Sequence, residues 1–374
     1  MKVIAFNLPQ FHPIPENDQW WGKGFTEWTN VVKAKPLFHG HYQPHLPADL
    51  GFYDLRLPEA REAQASLARE YGIHGFCYYH YWFNGRQLLE RPVNEILATG
   101  KPDFPFCLCW GNENWTRVWD GGESEMLMQQ VYSDQDDLEH IQSLIPFFKD
   151  RRYIKIDGKP LFLVYAANQL PHAKRTAERW RREVIAAGLP GLFLLRVESI
   201  HSMSGNPQDF GFDAALEFEP RGGLLNNFRL HGFHWWEHRR LRTARRAFID
   251  HSVFHYDDLV DRAISMELPK YPFIRCVCPG WDNTSRRKSG GVIVHGSTPE
   301  SYGRWLAYVL DQTLEGSGHS MNHKNFVFIN AWNEWAEGNH LEPCQKWGRA
   351  YLEATREALT NFGVNPQHGG FESA

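Results

Sequence analysis

Eight short apolar runs are spread along the 374-residue chain, and they limit its possible folds more than any other feature. Most of them are continuously apolar, as parallel strands are when helices cover both faces of their sheet. The predicted strands are Val3–Asn7, Gly75–Tyr81, Pro105–Trp110, Pro160–Tyr165, Leu192–Val197, Ala214–Phe218, Phe273–Cys278 and Phe326–Ala331.

Helical periodicity fills most of the intervals between these strands. In Leu57–Tyr71, for example, apolar residues recur at helical spacing and the run stops at Gly72, a residue type favoured at helix ends. The predicted helices are Leu57–Tyr71, Asp134–Lys149, Ala173–Ala187, Tyr256–Glu267, Pro299–Leu314 and Gln345–Thr360. The interval around Ser204–Phe210 is too short for a full helix. This order predicts the α/β class and a single (β/α)8 TIM barrel with elaborated βα loops over residues 1–374.

An arginine-rich stretch, Arg229–Arg246, follows the sixth strand and predicts an insertion around residues 221–250. Such a basic stretch could contact an anionic glycan. A solvated helix, or a helix that contacts another subunit, is the simpler explanation. The oligomeric state stays open.

The overall charge argues against several classes of partner. The formal net charge is −4, which gives no electrostatic reason to expect nucleic acid or an anionic membrane surface. No apolar run approaches the roughly 20 residues that span a bilayer, and the first residues lack the features of a secretory signal. These features predict a cytoplasmic protein without a membrane span. The six cysteines are interpreted as buried reduced thiols, and metal binding by a Cys-x-Cys pair is the less favoured alternative. No Cys/His cluster has zinc spacing, so neither a metal nor a cofactor is predicted, and calcium bound by scattered acidic residues stays open.

Aromatic residues are unusually abundant, at 14% of the chain with 15 tryptophans. Several lie in polar segments that a packed core would not favour, such as Gln19–Gly22 and Gly111–Trp115. Aromatic rings beside amides and carboxylates suit a sugar, whose C–H faces stack on the rings while its hydroxyls form hydrogen bonds. An oligosaccharide or polysaccharide is therefore the expected partner.

Polar and aromatic residues recur just after most of the predicted strands. In a (β/α)8 barrel the carboxyl ends of the strands form one face, and catalytic residues lie there. A single residue at such a position is structural about as often as functional, but many of them together indicate a binding site. The substrate-binding candidates are Asn7, Gln10, His12, Trp20, Tyr79, His80, Trp82, Trp110, Asn112, Glu113, Glu217, Trp281, Asp282 and Asn333. Among them, four tryptophans are predicted stacking platforms: Trp20, Trp82, Trp110 and Trp281.

Glu334 and Glu337 follow the eighth strand and are the candidate catalytic pair. Glycoside hydrolysis uses two carboxyl groups, one that protonates the leaving oxygen and one that assists at the sugar ring. If the turn after the strand is helical, residues three apart share a face. Neighbouring tryptophans would lower the local dielectric and raise the pKa of one carboxyl group, as a general acid requires. Two solvated glutamates at a capped helix start are the alternative.

The segment from Phe328 to Pro343 resembles the Asn-Glu-Trp-x-Glu-Gly-x-x-x-Glu-Pro signature of glycoside hydrolase family 99. Three further segments, Phe6–His12, Gly24–Trp28 and Gly75–Trp82, resemble the WbsX-like family, and that likeness runs from about Lys2 to Leu359. Proteins of this family often occur with O-antigen and other surface-polysaccharide genes. Glu342 belongs to the same signature and joins the substrate-binding candidates.

The resemblance to family 99 implies a TIM barrel and a retaining endo-α-mannosidase mechanism without an enzymic nucleophile. One glutamate deprotonates the 2-hydroxyl of the sugar, which attacks C1 to give a 1,2-anhydro sugar, and a second glutamate protonates the leaving group. By position in the motif, Glu334 is the base and Glu337 the acid. The chemistry requires a 2-hydroxyl trans to the leaving group, as in α-mannosides and α-rhamnosides.

Two other functions remain open on the sequence. The WbsX-like branch is commonly labelled glycosyltransferase, and a non-catalytic glycan-binding barrel is also compatible with the residues. The sequence contains no G-x-G-x-x-G motif of a nucleotide-binding fold. Its Asp134-Gln135-Asp136 segment follows Ser133 and is better explained as a capped helix start than as a metal–nucleotide site.

Overall fold

Eight parallel strands form a closed barrel in the computed structural model, which describes residues 1–117, 122–199, 205–221, 247–315 and 325–363. The strands are β1 (Lys2–Asn7), β2 (Gly75–Phe83), β3 (Phe106–Trp110), β4 (Lys159–Val164), β5 (Phe193–Glu198), β6 (Ala214–Glu217), β7 (Phe273–Val277) and β8 (Phe326–Ile329). Each pairs in parallel with the next, and β1 closes the barrel by pairing with both β2 and β8. The predicted (β/α)8 barrel is confirmed.

Helices cover the outside of the barrel and connect most of the strands, except that the two short helices directly after β1 lie at the carboxyl ends of the strands. They are α1 (Pro15–Trp21), α2 (Glu27–Lys33), α3 (Pro58–Glu70), α4 (Arg91–Thr99), α5 (Asp134–Lys149), α6 (Ala173–Ala186), α7 (Tyr256–Ser265), α8 (Pro299–Glu315) and α9 (Ala350–Asn361), with a four-residue helix at Ala247–Asp250. The six predicted helices are all present within a few residues of their expected bounds. The sequence did not reveal α1, α2 and α4, because each has only two or three turns and is shorter than the stretch over which helical periodicity can be recognised.

Short strands and 3-10 turns lie in the loops at the two ends of the barrel. Short strands occupy Arg86–Leu88, Trp115–Arg117, Gly122–Met128, Lys155–Ile156, Ser252–His255, Trp281–Asp282, Val292–His295, Asn333–Glu334 and Asn339–His340. Single 3-10 turns lie at Ala167–Gln169, Pro207–Phe210, Asn283–Ser285 and Trp335–Glu337. The turn at Pro207–Phe210 stands where the sequence predicted no full helix.

The barrel strands are buried on both faces, which explains their continuous apolar sequences. Every residue of β3, β5, β6, β7 and β8 is buried. Alternate side chains along a strand point to opposite faces, one towards the barrel axis and the next towards the helices. All six cysteines are free and buried, as interpreted from the sequence; five lie in or next to the barrel strands, and Cys344 lies in the chain after β8.

The predicted insertion around residues 221–250 falls mostly on 222–246, outside the described residues. Within the part of the chain that the structure covers, no helix combines the length and the apolar character needed to cross a membrane.

Candidate active site

A cleft of about 620 Å³ opens at the carboxyl ends of the strands. This volume lies within the range of small-molecule and sugar sites, roughly 300–1,000 Å³. The sequence-predicted residues that line the cleft are Gln10, Trp20, Tyr79, Glu113, Trp281, Glu334 and Glu337. The two predicted catalytic glutamates and the two most exposed of the predicted tryptophan platforms therefore share one cavity.

The chain after β8 folds into a tight turn that presents both glutamates to the cleft. Asn333–Glu334 pairs antiparallel with Asn339–His340, and the 3-10 turn Trp335–Glu337 lies between them. Gly338 ends the turn with a φ of 56°, a left-handed conformation that glycine adopts without strain. Side chains three residues apart eclipse in 3-10 geometry, so Glu334 and Glu337 face the same way.

Arg286 connects the two glutamates. Its Nη2 donates to Oε1 of Glu334 and its Nη1 donates to Oε1 of Glu337, each at a distance of 2.8 Å. A third carboxylate, Glu27, accepts from Nη2 at 2.8 Å and from Nε at 3.2 Å through Oε2. One guanidinium thus binds three carboxylates from the loops after β1 and β8.

The surroundings of this cluster change its protonation. Burial raises the pKa of Glu334 to about 8; Arg286 opposes the shift, and Glu337 and Glu27 add to it. Burial also raises the pKa of Glu337, again against Arg286. Because one guanidinium faces three carboxylates, the pair keeps a shared proton near neutral pH. An acid and a base can coexist there.

The two glutamates differ in accessibility. The side chain of Glu337 is 19% exposed, whereas that of Glu334 is 7% exposed and that of Glu27 is fully buried. Glu337 therefore lies closer to the opening of the cleft, and Glu334 lies deeper.

Aromatic side chains form much of the cleft wall. Tyr79 and Tyr81 of β2 lie parallel, with ring centroids 6.1 Å apart, and the Tyr81 hydroxyl accepts a hydrogen bond from Nε2 of Gln10 at 2.9 Å. Trp115 packs edge-on against Tyr81 at 5.1 Å and against Trp20 at 5.9 Å. These rings offer flat apolar faces beside the carboxylate pair.

His80, Trp82 and Trp110 face away from the cleft, and their assignment as substrate-binding residues is corrected. His80 and Trp82 alternate with Tyr79 and Tyr81 along β2, so they point away from the barrel axis. The Nε2 atom of His80 lies 3.0 Å from the Nε2 atom of His140 in α5. Trp82 stacks on the ring of His140 with a centroid distance of 5.0 Å. Burial lowers the pKa of His80 to about 3, which keeps it neutral.

Trp110 has the same outward orientation, and its assignment as a stacking platform is also corrected. It is 1% exposed and packs against His140 and against Trp180 of α6. Its Nε1 donates to the carbonyl of Trp82 at 3.1 Å. Trp110 therefore belongs to the packing between the barrel and its helices.

Glu217 is a buried ion-pair residue and does not line the cleft. Its carboxylate accepts from Arg275 at 2.7 Å and from Arg221 at 2.5 Å. These two guanidinium groups hold the pKa of Glu217 below its usual range despite burial. The carboxylate faces outward from β6, which explains why its position at a strand end was misleading.

Three more candidates support the loops beneath the cleft. Asn333 accepts from Leu8 N at 2.6 Å and donates to Oδ1 of Asn7 at 3.3 Å. Asn112 joins two loops: its Oδ1 accepts from the backbone N of Ala166 at 2.7 Å, and its Nδ2 donates to the carbonyl of Ala166 at 2.9 Å. Asn7, Asn112 and Asn333 are fully buried, so they shape the floor of the site without lining it.

Glu342, Asp282 and His12 also lie away from the cleft. Glu342 accepts from Tyr53, Gln64 and Nε1 of Trp335, and burial raises its pKa to about 7. Asp282 faces a separate cavity of about 80 Å³, where it accepts from His41 at 2.6 Å. His12 is 1% exposed, and burial lowers its pKa to about 4.

Arg286 is the main residue that the sequence analysis missed. It follows Trp281, Asp282 and Asn283 directly after β7, so its position at a strand end was the available signal. The rest of the cleft wall consists of Leu8, Asn17, Trp21, Tyr81, Gly111, Asn114, Trp115, Thr116, Leu127, Tyr165, Ser199, Phe218, Pro220, Asn283, Arg287 and Asn330.

Comparison with known structures identifies the fold. The chain superposes on the GH99 endo-alpha-mannosidase from Bacteroides thetaiotaomicron in complex with bis-tris-propane with a TM-score of 0.56 and 15% identity, covering 99% of both chains. A glycoside hydrolase-like protein gives a TM-score of 0.55 at 14% identity, covering 96% of this chain and 93% of the other. At these identities the likeness concerns the fold alone.

Comparison of sequences identifies the family. Two curated relatives, each described as uncharacterized protein WxcX, from strains B100 and ATCC 33913 of Xanthomonas campestris pv. campestris, are 43% identical over 364 residues. The matched region is 96% of this chain and 49% of each relative, so the chain spans about half their length. The family described as Glycosyltransferase WbsX matches residues 3–355. The chain therefore belongs to the WbsX glycosyltransferase family.

Proposed function

We propose that this chain is a glycoside hydrolase that cleaves α-linked mannose- or rhamnose-type units of a bacterial surface polysaccharide such as an O-antigen. The observation that carries the proposal is the joint position of Glu334 and Glu337 in an aromatic-walled cleft, tied to one guanidinium. The barrel fold that the chain shares with a GH99 endo-alpha-mannosidase is compatible with the same chemistry.

The proposed reaction divides the two carboxyl groups into a base and an acid. The reaction starts from the state of the pair in which the shared proton lies on Glu337 and Glu334 is ionised. Glu334 then takes the proton of the sugar 2-hydroxyl while O2 attacks C1. The bond between C1 and the leaving oxygen breaks, and Glu337 gives its proton to that oxygen. The product of this half-reaction is a 1,2-anhydro sugar with protonated Glu334 and ionised Glu337.

Water completes the cycle by the reverse proton movements. Glu337 removes a proton from water, whose oxygen attacks C1 and breaks the C1–O2 bond, and Glu334 returns its proton to O2. Two displacements at C1 retain the configuration. The greater exposure of Glu337 suits a group that meets both the leaving group and water, and the deeper position of Glu334 suits a group that meets only O2.

Aromatic stacking is the proposed basis of sugar binding. Trp20, Trp115 and Trp281 offer faces for the C–H surfaces of sugar rings, and Glu113 and Asn283 offer hydrogen-bond partners for hydroxyls. A cleft open to solvent can accept a segment of a longer chain.

Glycosyl transfer is the second candidate, since the family to which the chain belongs carries a glycosyltransferase name. The same anhydro sugar could pass to a sugar hydroxyl in place of water. The Asp134-Gln135-Asp136 segment gives no support for a nucleotide-dependent transferase. Ser133 caps α5 by accepting from Asp136 N at 3.0 Å, and Asp136 accepts from Nε1 of Trp82 at 2.8 Å.

A matched substrate set tests the hydrolase proposal. The purified protein is incubated with defined α-mannosides and α-rhamnosides and with their 2-deoxy counterparts, and released sugar is measured by mass spectrometry. Release from the parent glycosides and none from the 2-deoxy compounds is expected, since without O2 the anhydro ring cannot form. Normal turnover of a 2-deoxy substrate would overturn the neighbouring-group step.

A double variant, Glu334→Gln/Glu337→Gln, serves as the catalytic control in the same assay. Sugar release that persists in this variant contradicts the assignment of the pair. Product that forms only when a nucleoside-diphosphate sugar and an acceptor glycan are supplied together favours transfer over hydrolysis.

A further inference from the structure

The carboxylate pair is held by a residue from a different part of the chain. Arg286 ends the 3-10 turn Asn283–Ser285 after β7, and its guanidinium reaches Glu27, 259 residues away in the sequence, and Glu334, 48 residues away. Its side chain is only 10% exposed although it lines the cleft. A guanidinium in this position has a fixed fork of donors that a flexible ammonium lacks.

The backbone around Arg286 is fixed by short local bonds. Oδ1 of Asp282 accepts from Thr284 N at 3.0 Å and from the Thr284 hydroxyl at 2.6 Å. The hydroxyl of Ser285 donates to the carbonyl of Ala336 at 2.5 Å, which joins this turn to the turn that carries Glu337. The guanidinium and both glutamates are therefore mounted on one connected pair of turns.

The contacts of Arg286 use one oxygen from each glutamate of the pair. Both hydrogen bonds end on Oε1, and Oε2 of Glu334 and of Glu337 has no hydrogen bond to any residue that the structure describes. Glu27 lies on the far side of the guanidinium and does not line the cleft, and its side chain is fully buried. Its carboxylate can balance charge but cannot reach a substrate.

We infer that Arg286 is a positioning residue for the catalytic pair: it holds one oxygen of Glu334 and one of Glu337, turns the other oxygen of each to the substrate, and is itself held by Glu27. This inference rests on the proposed function for its catalytic meaning, but its structural content can be tested without turnover.

Charge distinguishes the roles of the two supporting residues. Arg286 favours the ionised glutamates, whereas Glu27 disfavours them, because like charges repel in a buried cluster. Removal of Arg286 should therefore raise the pKa of Glu334, and removal of the Glu27 charge should lower it. The other titratable or charged groups around the pair are Glu113, Tyr79, Tyr81, Tyr165 and Arg287.

Carbon-13 NMR of glutamate side-chain carboxyls measures these shifts directly. Signals of the protein labelled at glutamate are followed from pH 4 to 11 in the wild type, Arg286→Gln and Glu27→Gln, and are assigned with Glu334→Gln and Glu337→Gln. We expect Glu334 to titrate about one pH unit or more higher in Arg286→Gln and lower than wild type in Glu27→Gln. Shifts in the same direction in both variants, or no shift in either, overturn the inference.

The design includes matched controls for charge and for folding. Arg287→Gln removes the adjacent positive charge from the same cleft, and it should shift Glu334 much less than Arg286→Gln does. Oε1 of Glu27 has no hydrogen-bond partner among the described residues, so the amide nitrogen of Glu27→Gln displaces no donor. If Arg286→Gln does not fold, Glu27→Gln alone carries the test, and an unchanged Glu334 titration in that variant overturns the inference.

Kinetics then separate positioning from simple stability. On a substrate that the wild type cleaves, Arg286→Lys should lower kcat at least tenfold with little change in KM, because lysine keeps the charge but not the three-way contact. Guanidinium ion should partly restore the kcat of Arg286→Ala, and methylammonium should not. If the wild type cleaves no glycoside, the hydrolase proposal fails, while the NMR titration still decides the role of Arg286.

Discussion

Leu8 and Asn333 exchange two hydrogen bonds although they are 325 residues apart in the sequence. Leu8 N donates to Oδ1 of Asn333 at 2.6 Å, and Nδ2 of Asn333 donates to the carbonyl of Leu8 at 3.1 Å. Asn333 immediately precedes Glu334, so these bonds fix the backbone from which the proposed base extends. The geometry of the site therefore depends on a buried amide that the substrate does not reach.

Replacing Asn333 by alanine should damage both stability and catalysis. The substitution leaves the buried N–H of Leu8 without an acceptor, which costs about 1–3 kcal/mol. We expect the free energy of unfolding in denaturant to fall by that amount and kcat to fall more than KM changes. Asn361→Ala, at the exposed end of α9, is the control and should stay within about 0.5 kcal/mol of wild type. Equal unfolding of the two variants would contradict the role given to Asn333.

If Glu334 is the base and Glu337 the acid, the loss of activity should depend on the leaving group in Glu337→Gln but not in Glu334→Gln. An acid matters most when the leaving group is poor, so Glu337→Gln should nearly abolish cleavage of a natural glycan but retain much activity on an aryl glycoside. Glu334→Gln should impair both, because O2 must be activated whatever departs. Steady-state kinetics on the two substrates measure this difference. If Glu337→Gln lost the same fraction of its activity on both substrates, Glu337 would not be the acid.

The shared proton of the pair predicts a characteristic pH dependence. In the wild type, kcat/KM should show a bell-shaped dependence on pH. It should fall above about pH 8, because the pair loses its shared proton once the pH exceeds the raised pKa of Glu334. Such a curve does not tell which glutamate is the base, since either assignment gives the same bell.

Glu337→Gln resolves the assignment when it is assayed on an aryl glycoside. Only Glu334 then titrates, and as a base it must be ionised, so the rate should rise with pH and show no alkaline fall. Its midpoint should lie below the wild-type value, because the repulsion from Glu337 is gone. A rate that decreases with pH in this variant would identify Glu334 as the acid.

Tryptophans inside and outside the cleft should respond differently to truncation. Trp20→Ala and Trp281→Ala should weaken glycan binding by about 1–3 kcal/mol, measured by calorimetry, with little change in thermal stability. Trp110→Ala should instead destabilise the fold by about 3–5 kcal/mol, since it empties a packed site between the barrel and α6. A loss of stability without loss of affinity in the first two variants would show that their rings serve packing.

The barrel could be predicted from the sequence because its strands are short, apolar and separated by helices. The orientation of individual side chains could not. Along β2 both faces are buried, so polarity does not distinguish the inward Tyr79 from the outward His80, and a position at a strand end was weak evidence of function. Side chains alternate in direction along β2, so knowing the orientation of one of them would have corrected the assignments of both His80 and Trp82.

Arg286 was missed for a different reason. Locally it is one of two adjacent arginines in a polar loop, and nothing in that loop separates a buried guanidinium from an exposed one. Its partners, Glu27 and Glu334, come from loops that only the closed barrel brings together. The carboxylates could be found because their motif is contiguous, whereas their support is distributed along the chain.

Closure of the barrel through β1 and β8 sets an order in time as well as in space. Lys2 pairs with Phe326, so the first strand has only one of its two neighbours until nearly the whole barrel has been synthesised. At translation rates of about 5–20 residues per second, this interval is roughly 15–65 seconds. During it one edge of β1 has no strand partner, and contacts of such long sequence separation also slow folding. Glu334 and Glu337 emerge after β8, so a nascent chain that stops short of the last strand carries the aromatic wall of the cleft but neither of the two glutamates.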